Sequence, residues 1–267
     1  MGFVKRGLIF VSMLMGASLA AAQRQYSPPA QEGGGSNLQP DAARIFALAN
    51  QERAQAGVGR LQWDPALAAA AMYHCQRMAA EGPIAHQYNG EADLSGRAAQ
   101  ASAHFSMIEE NVAVGPSADV IHQEWMHSQG HRENLLSADV DRVGIAVVAA
   151  RGQLYAVADY SRGVEKLDPA QVEARVAALL RASGLGILSD PSVARAACAT
   201  DEGMPRASGG LQPRFIMRWQ DADLTRLPPQ LADRIATGKY RQAAIGSCPA
   251  QGSEGAFTAY RLAVILY

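Results

Sequence analysis

The segment WMHSQGHRENLL, residues 125–136, carries the pattern that decides the fold. Trp125 anchors a predicted helix, Ser117–Ser128, on an apolar core. Gly130 predicts that this helix has ended, because glycine favours turns. His131 then emerges at the turn, where functional side chains are usually found.

The two histidines of this segment, His127 and His131, stand four residues apart, so on one continuous helix they would share a face and hold a metal ion together. Gly130 interrupts that helix, and no Glu follows His127 as the zinc-protease motif His-Glu-x-x-His requires. The pair is therefore not a zinc-protease site. All six histidines nevertheless lie between His74 and His131, which concentrates the side chains that titrate near neutrality in the first half of the chain.

The sequence on either side of the segment predicts a mixed α/β domain. The predicted elements are helices over residues 41–57 and 65–82, a loop-rich stretch through His86 to Ser106, and strands Arg142–Ala149 and Leu154–Tyr160. Asp64 caps the second helix and Pro65 fits its first position. Helices first and a β-hairpin last indicate helices packed on a sheet.

Five motifs support a more specific interpretation. They are ALANQER at 47–53, LQWDPALA at 61–68, ENVA at 110–113, the segment at 125–136, and VGIAV at 143–147. In this order and spacing they resemble bacterial CAP (SCP) domains, whose superfamily includes cysteine-rich secretory proteins, insect venom antigens and plant pathogenesis-related proteins. The resemblance covers residues 41–165, a little under half of the chain.

The resemblance implies an α+β fold, a three-layer α-β-α sandwich with a central cleft. In many family members the cleft holds two histidines and two acids that can bind zinc or another divalent ion. The matching positions here are His86, Glu110 and His131. The second acid, which eukaryotic members carry just after the tryptophan, has no match, because Met126 to Ser128 include no acid.

Two interpretations of these three residues stay open. Two imidazoles, a carboxylate and a water make a reasonable open site for a divalent metal, zinc or calcium. Alternatively, His86, Glu110 and His131 form a buried hydrogen-bonded cluster that orders the cleft without metal. Arg132 and Asn134 are expected to tie the following loop to backbone carbonyls or to Glu110. The remaining histidines, among them His122, are expected either to have hydrogen-bond partners or to be exposed.

The pattern restarts after residue 165 and predicts a smaller C-terminal α/β domain, 166–267, of unknown role. It comprises helices from Pro169, over Ser192–Ala199 and Pro229–Thr237, and strands Arg214–Trp219, Tyr240–Ser247 and Phe257–Tyr267. The last two strands loosely echo the earlier hairpin, so a degenerate half-repeat is one interpretation. Cys198 and Cys248 can pair in an oxidising compartment, which leaves Cys75 as a buried core residue.

The first 22 residues predict a signal peptide. Lys5 and Arg6 precede an apolar run, Leu8–Leu19, and the small residues Ala20–Ala22 offer a cleavage site. The run is too short to span a bilayer. Residues 23–40 are rich in Gly, Pro and Ser and predict a flexible linker. We therefore expect a secreted or periplasmic protein with no membrane span in its mature form.

Composition and motifs leave two classes of function. A net charge of −1 argues against nucleic acid as a partner, because nucleic acid calls for a basic face. The favoured interpretation is a non-enzymatic binding module that takes a lipid, a peptide or a cell-envelope component in its cleft. The alternative is a metal-dependent, peptidase-like hydrolase in which Glu110 polarises a water on a metal held by His86 and His131. The missing second acid favours binding.

Overall fold

The computed structural model describes residues 38–200, 203–206, 211–250 and 256–267. The predicted signal peptide and residues 23–37 of the predicted linker lie outside these ranges. Within them, no helix is long and apolar enough to cross a membrane. The strands form two four-stranded sheets, one in each half of the described chain.

The first half contains helices and strands in the order that the sequence predicts, with four additions. They are α1 (Pro40–Gln55), β1 (Gln62–Trp63), α2 (Pro65–Glu81), α3 (Leu94–Gln100), β2 (Phe105–Gly115), α4 (Ala118–His127), α5 (Gln129–Leu136), β3 (Arg142–Ala150) and β4 (Gln153–Gly163). Asp64 accepts hydrogen bonds from the amides of Ala66 and Leu67, so it caps α2 as predicted. The additions are β1, α3, β2 and α5, of which α3 replaces part of the predicted loop.

The first sheet has the strand order β1-β3-β4-β2. β1 runs parallel to β3, and the other pairs are antiparallel. Alternate residues of β3 face opposite layers: Val143 and Ile145 join a core with α1 and α4, whereas Ala146 joins a core with α2. The sheet is therefore covered on both faces, which confirms the predicted α-β-α sandwich.

Gly130 does not end a helix, contrary to the prediction. The break falls at Ser128, which has an extended conformation (φ −92°, ψ 121°), and Gly130 lies inside α5. Glycine costs a helix only about 1 kcal/mol relative to alanine, so neighbouring contacts can retain it. His127 and His131 nevertheless lie on different helices, so they do not share a helix face on which a zinc-protease site could form.

The second half repeats the same connectivity with shorter elements. They are α6 (Pro169–Ala182), β5 (Gly186–Ile187), α7 (Ser192–Thr200), β6 (Phe215–Asp221), α8 (Pro229–Ala236), β7 (Gln242–Cys248) and β8 (Tyr260–Leu266). The sheet order is β5-β7-β8-β6, with β5 parallel to β7 and the other pairs antiparallel. Each strand thus has a counterpart in the first sheet with the same neighbours and directions.

A close helix–strand contact also recurs in the two halves. A Cβ at Gly144 would lie 2.0 Å from the amide nitrogen of Ala68 in α2, and a Cβ at Gly246 would lie 2.0 Å from the amide nitrogen of Arg195 in α7. When these glycines are matched, the strand registers place Ala263 at the position of Asp159. They also place Arg218 at the position of Glu110.

A disulfide joins Cys198 on α7 to Cys248 on β7, as predicted, and Cys75 is free and buried. Burial raises the pKa of Cys75 to about 12, so its thiol stays protonated at physiological pH and is a poor nucleophile.

Removing the disulfide should destabilise the C-terminal half. The two cysteines are 50 residues apart, and opening a loop of this size typically costs about 2–4 kcal/mol. We expect the Cys198→Ser, Cys248→Ser double variant to unfold at a correspondingly lower urea concentration. Alkylation of the unfolded, unreduced wild-type chain, read by mass spectrometry, should modify one thiol, and modification of three would contradict the pairing.

Candidate functional site

Glu110 is the centre of the candidate site. It lies on β2, and its side chain is 2% exposed. Its Oε1 is 2.8 Å from Nδ1 of His86, and its Oε2 accepts a hydrogen bond of 2.6 Å from Nη2 of Arg97. Both carboxylate oxygens therefore have a partner, one on the loop after α2 and one on α3.

His86 is the exposed member of this group, with 62% of its side chain accessible. The hydrogen bond to Glu110 is the main cause that raises the pKa of His86, and it outweighs burial, which lowers that pKa. The buried carboxylate thus fixes one edge of the imidazole and leaves the rest of the ring open to solvent.

Asp159 supplies a second acid that the sequence analysis missed. It lies on β4 between its cross-strand partners Gly144 and Glu110, and it is fully buried. Within the described residues, no N–H or O–H donor reaches either carboxyl oxygen. Burial, and then the negative charge of Glu110, raise the pKa of Asp159 well above its ordinary value. Burial thus favours the protonated form of Asp159, which in that form can donate its proton to the Glu110 carboxylate.

A second buried pair lies beside the first. Nδ1 of His74, on α2, is 2.8 Å from Oε1 of Glu91, and Nε2 of His74 is 2.8 Å from the carbonyl oxygen of Ala85. The side chains of His74 and Glu91 are fully buried, and Nε2 of His74 is 4.0 Å from Oε2 of Glu110. The sequence analysis gave neither residue a role.

The residues of the segment at 125–136 have different surroundings in the structure. Nδ2 of Asn134 donates to the carbonyl oxygen of Glu110 and to Oδ1 of Asn111, while Nδ2 of Asn111 donates to the carbonyl oxygen of His131. Asn134 therefore ties the loop to β2 as expected. His131 is half-buried on α5, and burial and the charge of His86 lower its pKa.

Arg132 does not join this cluster. It is exposed and lines a groove of about 530 Å³, beside Glu109, Asn134 and Asp139. His122, on α4, is buried, and neither ring nitrogen has a hydrogen-bond partner among the described residues. The expectation that His122 is either satisfied or exposed was therefore wrong.

The residues present do not fit a divalent metal well. Among the described residues, no group of three His, Cys, Asp or Glu side chains converges in a geometry that could hold a metal ion. One oxygen of Glu110 is bound to a guanidinium, whose positive charge opposes a metal ion at the same carboxylate. A metal at His86 and His131 would thus have two protein ligands, fewer than the three of a typical catalytic zinc site.

The structure predicts opposite pKa shifts for the two cleft histidines. In an NMR titration we expect His86 to titrate above the ordinary value of about 6.5 and His131 below it. Glu110→Gln should lower the pKa of His86, because the hydrogen bond to the carboxylate is its main cause. The His86 contribution to stability is present below about pH 6.5 and is lost as the pH rises through its folded-state pKa.

His127, which is exposed on α4, provides a control in the same titration. Its resonance should not respond to Glu110→Gln. An unchanged His86 pKa in Glu110→Gln would contradict the predicted ion pair.

The three-layer sandwich, with histidines and a buried glutamate at one sheet edge, defines a CAP-type domain. A model of the cysteine-rich secretory protein family (CAP) matches residues 46–160. Residues 46–160 thus match the CAP family, and a second sheet follows them in the C-terminal half of the described chain.

Other comparisons cover parts of the chain. The uncharacterized membrane protein YlbC of Bacillus subtilis (strain 168) is 30% identical over 108 residues, which are 39% of this chain and 30% of that protein. This chain therefore spans less than a third of that relative. An extracellular protein containing a SCP domain from Bacillus anthracis str. Ames is 25% identical with a TM-score of 0.43, covering 46% of this chain and 40% of the other. An outer surface protein from Borrelia burgdorferi is 18% identical with a TM-score of 0.44, covering 47% of this chain and 94% of the other.

Proposed function

We propose that this chain is an exported binding module whose CAP cleft takes a ligand through His86 and His131. The observation that carries the proposal is the exposed imidazole of His86, which the buried Glu110 holds in place. A side chain that is fixed at one edge and open at the other is preorganised for a partner, because little rotamer freedom is left to lose on binding. The ligand is a lipid, a peptide or a cell-envelope component.

The hydrolase alternative gains no support from the geometry. It requires Glu110 to polarise a water on a metal, but both oxygens of Glu110 already have partners within the chain. We therefore propose a binding module rather than an enzyme.

Direct binding measurements test this function. We would measure binding of the mature chain to phospholipid vesicles, to a random peptide library and to purified cell-wall fragments. The expected result is that the wild type binds to one of these preparations. The His86→Ala, His131→Ala double variant should bind it at least tenfold more weakly, and His127→Ala should bind it as the wild type does. Equal binding by all three proteins, or none by the wild type, would overturn the proposal.

Export is a part of this proposal that rests on the first 22 residues and is supported by the disulfide, which persists in oxidising compartments. The mature protein recovered from the producing cell should begin near Gln23 and carry the Cys198–Cys248 bond. A chain that retains residues 1–22 and has three reduced cysteines would contradict export.

The division at residues 165 and 166, and the origin of the second domain as a reduced copy of the first, are likewise proposals. The shared connectivity and the matched glycines support them. Because Arg218 stands at the position of Glu110 and Ala263 at that of Asp159, the second domain lacks the acids of the first cleft. Its role is then to contribute a partner surface or to cover the sheet. The division between the domains predicts that limited trypsin digestion cuts the chain first after Lys166.

A further inference from the structure

We propose that an internal guanidinium, that of Arg97, takes the place of a metal ion in this cleft, within a buried network formed with His74, Glu91 and Glu110. The inference rests on the proposed function only in taking this cleft as the binding site. It assigns a positioning role to Arg97, which none of the five sequence motifs contains or predicts.

Arg97 is the hub of the network. Its side chain is 1% exposed, and its Nη2 donates to Oε2 of Glu110 at 2.6 Å. Its Nη1 donates to the carbonyl oxygens of His86 and Ala92, at 3.1 and 3.2 Å. One side chain therefore fixes the carboxylate that orients His86 and also the backbone that carries His86. Because a guanidinium is always protonated in proteins, this positive charge is permanent.

His74 extends the network. Both of its ring nitrogens face oxygen acceptors, Oε1 of Glu91 and the carbonyl of Ala85. Glu91 is held in turn, because its Oε2 accepts a hydrogen bond from the amide of Tyr88.

A divalent ion at Glu110 would either share the carboxylate with the Arg97 guanidinium, whose positive charge repels it, or displace that guanidinium. Displacement would leave a buried guanidinium without its carboxylate, a change that is strongly unfavourable in a low-dielectric interior. The ligand of this cleft is therefore recognised by hydrogen bonds from the imidazoles of His86 and His131, without a bridging metal.

Calorimetric titration of the mature chain with Zn²⁺ and Ca²⁺ tests the inference without any knowledge of the ligand. We expect the wild type and the His86→Ala, His131→Ala double variant to give the same heats, with no binding tighter than millimolar in either protein. Micromolar zinc binding by the wild type that the double variant loses would overturn the inference. Ligand binding by the cleft could still hold in that case, so the two proposals fail separately.

Arg97→Gln removes the charge and keeps a hydrogen-bonding side chain, with the exposed Arg132→Gln as its matched control. We expect Arg97→Gln to gain at least tenfold in zinc affinity, and the gain to disappear when His86→Ala is added. A folded Arg97→Gln that binds zinc no better than the wild type would overturn the role of Arg97. If the variant does not fold, the wild-type titration alone decides.

Discussion

Gly144→Ala should unfold or severely destabilise the CAP domain. An added Cβ would lie 2.0 Å from the amide nitrogen of Ala68 and 2.2 Å from the carbonyl carbon of Leu67. Real Cβ atoms essentially never approach this closely, and both atoms belong to the backbone of α2, so no side-chain rotation can relieve the overlap. The helix must move away from the sheet, which opens the core that Cys75 and Met78 share with β3 and β4.

We expect the free energy of unfolding to fall by at least about 3 kcal/mol, at the upper end of overpacking effects. Urea denaturation followed by circular dichroism measures the change. Gly130→Ala is the matched control, because no atom lies within 4 Å of its added Cβ and alanine favours the helix over glycine by up to about 1 kcal/mol. A loss below about 1 kcal/mol in Gly144→Ala would contradict the close helix–strand contact.

Arg53→Leu is the second large effect. Arg53 is 1% exposed, and its guanidinium donates to the carbonyl oxygens of Gly59, Leu135, Ser137 and Val140 at 2.6 to 3.1 Å. It therefore joins α1 to the loop before β1 and to the end of α5 and the loop after it. Leucine fills part of the space but leaves buried carbonyls without donors, and each unsatisfied group costs about 1–3 kcal/mol.

We expect Arg53→Leu to lower the free energy of unfolding by about 3–5 kcal/mol, which is typical when a buried polar network loses its central member. Arg53→Lys should rescue less than half of the loss, because an ammonium group lacks the planar fork that reaches several carbonyls at once. Arg60→Leu, at an exposed position on the following loop, is the control and should change stability little. Near-native stability of Arg53→Leu would show that these carbonyls are satisfied in another way.

Most of the secondary structure could be predicted because its signals are local. Asp64 and Pro65 mark the start of α2, and the alternating strands after Arg142 mark the hairpin. The elements of the C-terminal half fall within a few residues of their predicted positions. β2 was missed because Glu109, Glu110 and Asn111 are not typical strand residues, and its pairing with β4 joins residues about 50 positions apart in sequence.

The candidate site was only partly predictable, for a related reason. Glu110 and His131 lie within two of the motifs, and the resemblance implies His86 by its place after the second helix. The structure brings His86 and Glu110 into contact. Arg97, Glu91 and His74 gain their roles through tertiary contacts, and the sequence around them has no distinctive pattern. Asp159 had one overlooked signal: it is the single charged residue in an otherwise apolar strand segment, Leu154–Tyr160.

The most direct test of the cleft as a binding site is an NMR experiment with the histidine rings of the mature chain as reporters. Lipid vesicles, the peptide library and cell-wall fragments are added in turn, in a metal-free buffer. We predict that one of them shifts the resonances of His86 and His131 and leaves that of His127 unchanged. A ligand that binds without moving His86 or His131, or one that moves them only after zinc is added, would contradict a metal-free binding cleft.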